Sequence, residues 1–298
     1  MLGTLSVPCT DILLFDDRAN YNRSVRDAPQ TPLQVLNRLA ALATFMAAAS
    51  LVAAQELVTL STREGVTQSF LLTPPDNGQP AAAAILFPGS WGHIRLRREN
   101  GAIKLGEGNF LVRSRQMFVD AGVTTAVLDT PSDQPQGMQD WFRLGDKHAA
   151  DIAKVVDELK RRFPGVPVFL VGTSRGSVSA AAVARALGNS VSGVVLTSSM
   201  TTAARSGPGL SGFDYATIKA PVLLMHHTED SCAYTPYRDA RRIAQAQHYP
   251  LISVSGGKPA TSDPCEAFSA HGFLGKEPET VEAMINWMLK KPFRDNIN

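Results

Sequence analysis

Ser174 stands between two glycines, Gly172 and Gly176, in the pattern Gly-x-Ser-x-Gly. An apolar run ends just before the motif, and an alanine-rich segment that extends to Leu187 follows it. A strand, a sharp turn and a helix in this order lift a serine out of a sheet, and the glycines leave room where strand and helix approach closely. The motif therefore predicts a nucleophilic serine, although a turn that merely contains a serine has the same pattern.

A serine nucleophile needs an adjacent base. Among the six histidines of the chain, His271 is the strongest candidate, because it lies in a loop beside Gly272, after the last apolar strand and before the final helix. His148 falls on a helix, and His226 and His227 end a strand, so we interpret these three as buried or supporting side chains. The remaining interpretation of His271 is an ordinary solvated loop histidine.

An acid should orient the base, and it is expected at the end of another strand. Residues 220–227 form an apolar strand, and Glu229 and Asp230 follow it closely. Asp230 is preferred because it lies deeper in the turn, and Glu229 is the second choice. The acid would fix the tautomer of the imidazole and stabilise the imidazolium, without taking the proton itself.

Apolar strands alternate with amphipathic helices, which predicts an α/β fold with a mostly parallel central sheet and helices on both faces. Reactive groups collect at the carboxyl ends of the strands in such sheets, where Ser174 and Asp230 lie. The predicted strands are a pair joined by a turn at Glu64 and Gly65, then residues 82–87, 124–128, 166–172, 191–199, 220–227 and 249–255. The predicted helices are residues 110–121, 144–163, 174–187, 236–247 and 278–290.

The order Ser174, Asp230, His271 along the chain resembles that of the serine hydrolases with the α/β-hydrolase fold. The resemblance covers nearly all of residues 56–290 and implies a Ser-His-Asp triad. It also implies an enzyme that cleaves carboxylic esters through an acyl-enzyme intermediate, without cofactor or metal. A serine peptidase, a thioesterase or an acyltransferase on the same triad remains open, and so does a non-catalytic binding protein on the same scaffold.

Residues 86–92, with the sequence LFPGSWG, look like the oxyanion loop that follows the third strand in this family. The resemblance implies two oxyanion donors, the backbone N–H groups of Ser90 and of Arg175, the residue after the nucleophile. The family commonly has a histidine where this chain has Pro88. The amide of Trp91 is therefore the second choice for the first donor.

The sequence limits the size of the substrate but does not identify it. Residues 200–219 separate two predicted strands and are too few for a large lid, so we expect an open site for a small- or medium-sized ester, bordered by residues 92–109. Trp91 and Trp141 are expected either in the core or in an acyl pocket. The acyl and alcohol groups, the choice between ester, amide and thioester, and the oligomeric state do not follow from the sequence.

Composition and charge exclude several kinds of partner. The 298 residues are 44% hydrophobic and carry a net charge of +2, which is too small to indicate nucleic acid or an anionic membrane surface. The short basic run of residues 95–100 is interpreted as a solvated loop.

Residues 1–54 are interpreted as an N-terminal extension and signal peptide, followed by a single domain at 55–298. Arg38 precedes sixteen uncharged, mostly apolar residues, 39–54, and Val52 and Ala54 sit at the −3 and −1 positions of a cleavage site before Gln55. This pattern predicts an exported protein, periplasmic or secreted, without stable membrane association after cleavage. An uncleaved membrane anchor and an alanine-rich helix are the alternatives. About 37 residues precede the signal core, which we explain by translation that starts near Val35 or Leu36.

Cysteine usage agrees with export. Cys9 precedes the proposed cleavage site, which leaves Cys232 and Cys265 as an even number in an oxidising compartment. We predict that these two pair, with two free thiols as the alternative. The bond would join the loop of Asp230 to the loop of His271.

Overall fold

The structure is a computed structural model, and it describes residues 55–298. The signal peptide and N-terminal extension that the sequence predicts for residues 1–54 lie outside the described residues. No helix in the described part of the chain has the length and apolar character that a membrane span requires.

Nine of the eleven described strands form one mostly parallel sheet, as the alternation of strands and helices predicts. The strands are β1 (Glu56–Arg63), β2 (Val66–Thr73), β3 (Ala82–Phe87), β4 (Arg97–Glu99), β5 (Ala102–Lys104), β6 (Val123–Leu128), β7 (Val168–Thr173), β8 (Gly193–Thr197), β9 (Val222–His227), β10 (Leu251–Val254) and β11 (Asn296–Ile297). The sheet order is β1-β2-β6-β3-β7-β8-β9-β10-β11. Strand β2 is antiparallel to both neighbours, and every other pairing in the sheet is parallel.

Helices cover the sheet on both faces. They are α1 (Phe110–Arg113), α2 (Arg115–Asp120), α3 (Asp140–Arg143), α4 (Asp146–Arg162), α5 (Gly176–Leu187), α6 (Tyr237–Gln247) and α7 (Glu277–Met288). Successive strand residues point to opposite faces, so Ile85 and Phe87 of β3 join an apolar cluster with α4 and α5, whereas Ala84 and Leu86 join another with α2 and α7. Both faces are therefore dry, which explains the continuous apolar strands.

Three details of the sequence prediction change. The helix expected at 110–121 is divided at Ser114, where the Arg115 guanidinium donates to the Val112 carbonyl at 2.7 Å. Residues 92–109, which show no clear pattern, contain the exposed β4–β5 hairpin. Helix α3 was not predicted, because four residues are too few to show helical periodicity.

The connection from β8 to β9 contains a single 3₁₀ turn, Tyr215–Thr217, within the described residues. It adds no lid domain over the carboxyl edge of the sheet, as the sequence predicts.

Candidate active site

Ser174 lies between β7 and α5 in the left-handed region, with φ +52°. That conformation is uncommon for a residue other than glycine, and strain of this kind clusters at functional sites. A Cβ on Gly172 would lie 2.8 Å from that of Ala180, and a Cβ on Gly176 would collide with the Phe87 carbonyl group. The two glycines are therefore required by the close packing of α5 on β7 and β3.

His271 and Asp230 are hydrogen-bonded to each other. His271 lies in a 3₁₀ turn, Ala270–Gly272, and its Nδ1 is 2.9 Å from Asp230 Oδ2. The Asp230 carboxylate is fully buried and also accepts from the Cys232 amide (2.9 Å) and the Thr235 hydroxyl (2.8 Å). Because a carboxylate only accepts, Nδ1 donates this hydrogen bond, and in the neutral imidazole the lone pair is then on Nε2.

The lone pair of His271 Nε2 is unused. This nitrogen is buried and has no hydrogen-bond partner among residues 55–298. His271 and Ser174 line one pocket of about 370 Å³, although the two side chains are not hydrogen-bonded to each other in the described structure. Catalytic hydrogen bonds are often long in free enzymes and shorten when substrate binds.

The pocket lies between the loop after β3, residues 106–110 and the loop before His271. Its apolar lining includes Ile94, Phe110, Ala267 and Phe268, and its polar lining includes His93, Asn109, Ser262 and Glu266. Residues 92–109 thus border the site, as the sequence predicts. Glu229, the second choice for the acid, is exposed.

Cys232 and Cys265 form a disulfide. Cys232 follows Asp230 by two residues, and Cys265 precedes His271 by six. The covalent bond therefore joins the loop of Asp230 to the loop of His271.

Three backbone amides near Ser174 make no hydrogen bond among the described residues. The Gly92 amide donates to the Gly89 carbonyl at 3.0 Å and closes a turn in which Ser90 has φ +51°. The amides of Ser90, Trp91 and Arg175 have no acceptor among the described residues. Ser90 lines the pocket with Ser174, whereas Trp91 does not, which favours Ser90 over the second choice.

A buried polar group lies behind this loop, and we call it the arginine cluster: Asp140, Arg143, Arg175 and Ser179. Arg143 donates to the Ser179 hydroxyl at 2.8 Å and to the Ser90 carbonyl at 3.1 Å. Arg175 donates through Nε (3.0 Å) and Nη2 (2.8 Å) to Asp140 Oδ1. Burial, together with the charge of Arg175, lowers the pKa of Arg143 to about 9, while the charge of Asp140 opposes the shift.

Two other histidines are neutral structural side chains. His148 lies against the rings of Phe87 and Phe142, and burial lowers its pKa to about 3. His226 accepts from the Ser199 amide at 2.8 Å, and burial lowers its pKa to about 4.

Residues 132–254 match the family model described as Serine aminopeptidase, S33. The match includes Ser174 and Asp230 and ends before His271. Est1E from Butyrivibrio proteoclasticus superposes with a TM-score of 0.54 at 16% identity, over 78% of this chain and 98% of its own. The chain has the α/β-hydrolase fold.

Two further α/β-hydrolase structures are similar to it. XC6422 from Xanthomonas campestris, described as a serine hydrolase without lid, has a TM-score of 0.54 at 14% identity, over 76% of this chain and 94% of its own. A dienelactone hydrolase from Anabaena variabilis has a TM-score of 0.52 at 18% identity, over 80% of this chain and 95% of its own. No curated protein matches the sequence closely enough to count as a relative.

Parts of this α/β-hydrolase site differ from what the sequence predicts. Trp91 and Trp141 are 41% and 68% exposed, so they belong neither to the core nor to the pocket lining. Asp140 and Arg143 are not singled out by the sequence, and the one available signal is Arg175, a charged residue beside Ser174 that needs a carboxylate partner. Among residues 55–298, no group of three or more His, Cys, Asp or Glu side chains could hold a metal ion.

Proposed function

We propose that this α/β-hydrolase is a serine esterase, with Ser174 as nucleophile, His271 as general base and Asp230 as the acid that orients it. The proposal is carried by the 2.9 Å hydrogen bond between His271 Nδ1 and Asp230 Oδ2, made beside a pocket that Ser174 also lines. A solvated loop histidine would not be buried against a fully buried carboxylate.

Acylation begins when Ser174 Oγ attacks the ester carbonyl carbon. His271 Nε2 takes the hydroxyl proton, and Asp230 stabilises the imidazolium that forms. The tetrahedral intermediate then collapses, the bond to the alcohol oxygen breaks, and the imidazolium returns the proton to the leaving alcohol. The acyl group is now bound to Ser174 Oγ.

Deacylation repeats the same steps with water. His271 Nε2 takes a proton from water, and the resulting hydroxide attacks the acyl carbon. Collapse breaks the bond to Ser174 Oγ, which recovers its proton from the imidazolium, and the carboxylic acid leaves. No cofactor or metal is needed for either half of the reaction.

The backbone amides of Ser90 and Arg175 would stabilise the oxyanion in both intermediates. The unused state of both amides supports this role, because no described acceptor competes with the substrate oxygen. Loss of one such donor costs about 3–4 kcal/mol of transition-state stabilisation.

Labelling with a fluorophosphonate tests the nucleophile. Ser174 should be the labelled residue by peptide mapping, and Ser174→Ala should abolish labelling and lower kcat on 4-nitrophenyl acetate by at least about 10⁴-fold. His271→Ala should weaken labelling, while the exposed Ser211→Ala is the matched control. If the folded, disulfide-bonded protein is not labelled, the serine is not activated, and a non-catalytic binding role on this scaffold becomes the better proposal.

Amide hydrolysis is the second candidate function, because residues 132–254 match the serine aminopeptidase model. An amide needs better protonation of its leaving group than an ester. The test compares an aminoacyl 4-nitroanilide with the 4-nitrophenyl ester of the same acyl group. A higher kcat/KM on the anilide would replace the esterase proposal. A thioester of that acyl group and an added alcohol acceptor would test the thioesterase and acyltransferase alternatives.

The pocket supports a small or medium acyl group. Its volume of about 370 Å³ and the apolar side chains of Ile94, Phe110 and Phe268 suit an apolar acyl chain or ring. Est1E has been solved with ferulic acid bound, which makes an aromatic acyl group worth including. With 4-nitrophenyl esters of increasing chain length, we expect kcat/KM to peak at a short or medium chain, and a continuous rise to the longest chain would contradict this.

We also propose that the protein is exported and that residue 55 begins the mature chain. The Cys232–Cys265 disulfide supports this, because disulfides persist mainly in oxidising compartments. N-terminal sequencing of protein recovered from the periplasm or medium tests it. A mature start upstream of Gln55 would overturn the proposed cleavage site.

A further inference from the structure

We propose that Asp140 and Arg143 are positioning residues for the oxyanion hole, and that they act through the peptide groups of Ser90 and Arg175. The inference rests on the proposed esterase function. Neither Asp140 nor Arg143 lines the pocket, so neither is placed to touch the substrate.

Arg143 holds one side of the turn that presents the Ser90 amide. The peptide before Ser90 is fixed by the Gly92 amide, which donates to the Gly89 carbonyl at 3.0 Å. The peptide after Ser90 is fixed by Arg143 Nη2, which donates to the Ser90 carbonyl at 3.1 Å. Because both flanking peptides are held, Ser90 is kept in its uncommon conformation at φ +51°.

Asp140 holds the second donor through its side chain. Oδ1 of Asp140 accepts from two nitrogens of Arg175, at 3.0 and 2.8 Å, and Oδ2 accepts from the Gly209 amide at 2.9 Å. The Arg175 guanidinium also lies 4.5 Å from the centre of the Trp91 ring. Arg175 therefore connects the turn of residues 173–176, which we call the nucleophile elbow, both to α3 and to the oxyanion loop.

Helix α3 thus links the two donors, because Asp140 and Arg143 are three residues apart and lie on the same side of the helix. Trp141 lies between them in sequence and is 68% exposed. Arg143 also donates to Ser179 of α5 at 2.8 Å and to the Met138 carbonyl at 3.3 Å. All three kinds of donor nitrogen on Arg143 are therefore engaged.

The arginine cluster places charged side chains in the interior of the protein. Asp140 and Arg143 are 0% and 1% exposed. The cluster contains one carboxylate and two guanidiniums, and of these two the carboxylate of Asp140 is hydrogen-bonded only to the guanidinium of Arg175. Burying charged groups costs free energy that apolar side chains of similar volume would not cost. Burial also lowers the pKa of Arg143, which reflects this cost. Rigid placement of the oxyanion donors is a benefit that can offset it.

Steady-state kinetics on 4-nitrophenyl acetate test the proposal with Arg143→Met and Asp140→Asn. We expect kcat to fall by about 10- to 100-fold in each, below the loss of a whole oxyanion donor, while KM changes by no more than about threefold. An aryl trifluoromethyl ketone forms a serine hemiketal that carries an oxyanion. Its inhibition constant should rise by the same factor as kcat/KM falls, a readout that a merely structural role would not produce.

Two controls separate positioning from general stability. Asp151 is also fully buried and accepts two hydrogen bonds from an arginine, Arg63, both at 2.9 Å. Asp151→Asn should lower Tm and leave kcat within about twofold. Trp141→Ala, on the same helix but exposed, should leave both kcat and the inhibition constant unchanged.

Unchanged kcat and unchanged ketone inhibition in folded Arg143→Met and Asp140→Asn would overturn the inference. If these variants do not fold, Arg143→Lys serves instead, because lysine keeps the charge but cannot reach all three acceptors. It should then show a smaller loss of kcat than expected for Arg143→Met, and wild-type kcat would overturn the inference. Ser174→Ala tests the esterase function separately: a dead Ser174→Ala beside fully active cluster variants rejects the positioning role alone.

Discussion

The two halves of the candidate site are held by different kinds of bond. In the acid–base half, Asp230 and His271 lie on loops that the Cys232–Cys265 disulfide joins. In the oxyanion half, the loop after β3 and the nucleophile elbow are joined by hydrogen bonds to the buried arginine cluster. One half therefore depends on a covalent bond, and the other on buried charged groups.

Burial explains this difference. Most of residues 261–268, which precede His271, are exposed, so few packed contacts can hold that loop, and a covalent bond reduces its freedom. Asp140 and Arg143 are buried away from water. Hydrogen bonds to charged groups are stronger in the protein interior than in water. The exposed loop before His271 is thus held by a covalent bond, and the buried oxyanion half is held by hydrogen bonds to charged groups.

The largest expected effect belongs to the acid–base half. Asp230→Asn should lower kcat on 4-nitrophenyl acetate by about 10⁴-fold, because an amide can hold the imidazole in the wrong tautomer. The fold should remain intact, since the volume is conserved. Glu229→Gln is the matched control, and its exposed side chain should leave kcat unchanged. A large loss in Glu229→Gln with an active Asp230→Asn would reverse the assignment of the acid.

Removing the disulfide should have the next largest effect. The bond joins two residues that are 33 positions apart in the chain, and its loss in the Cys232→Ser/Cys265→Ser double variant should lower the free energy of unfolding by about 3–4 kcal/mol. Urea denaturation measures this change. We also expect kcat to fall, because the acid and base loops would no longer be joined.

A matched measurement decides whether the bond has a catalytic role. Asp151→Asn weakens a buried ion pair away from the site, so it lowers stability without touching the acid–base loops. If the cysteine variant loses stability but keeps wild-type kcat at low temperature, the disulfide stabilises the fold and does not position the triad. The relative positions of Asp230 and His271 would then not depend on the disulfide.

The same contrast explains how much the sequence could predict. Ser174 lies in a local motif, and Asp230 and His271 follow strands whose apolar runs are easy to identify. The fold and the mostly parallel sheet follow from the alternation of strands and helices, and the absence of a large lid follows from the short connection of residues 200–219; the structure of residues 55–298 agrees. Local patterns single out these residues because Ser174 and Asp230 closely follow apolar strands and His271 lies in the loop before the last helix; their catalytic roles stay a prediction.

The oxyanion half could not be predicted in the same way. Arg143 reaches Ser90 across 53 residues, and Arg175 reaches Asp140 across 35. These contacts depend on where a four-residue helix lies in three dimensions, and no periodicity in the sequence encodes that. Trp91 was assigned to core or pocket because aromatic residues near strand ends usually bury their rings, whereas here its ring is partly exposed over Arg175.

The smallest expected effect is on the pH dependence of the free energy of unfolding, and it can be measured for each half of the site. His148 lies beneath the oxyanion half, and His226 lies beneath the acid–base half; burial lowers their pKa values to about 3 and about 4. An unfolded histidine titrates near pH 6.5. Between about pH 6.5 and 4 the unfolded chain therefore binds more protons, so the free energy of unfolding falls as the pH falls, by up to about 1.4 kcal/mol per pH unit for each histidine.

Replacement of either histidine should reduce this acid sensitivity. His148→Leu suits the apolar surroundings of Phe87 and Phe142, and His226→Gln keeps an acceptor for the Ser199 amide. Urea denaturation at pH 6.5, 5.5 and 5.0 should give a shallower dependence of the unfolding free energy on pH for each variant. If one variant keeps the wild-type slope, the histidine it replaces is protonated in the folded state near pH 6. The half of the site above that histidine would then be more accessible to water than its burial indicates.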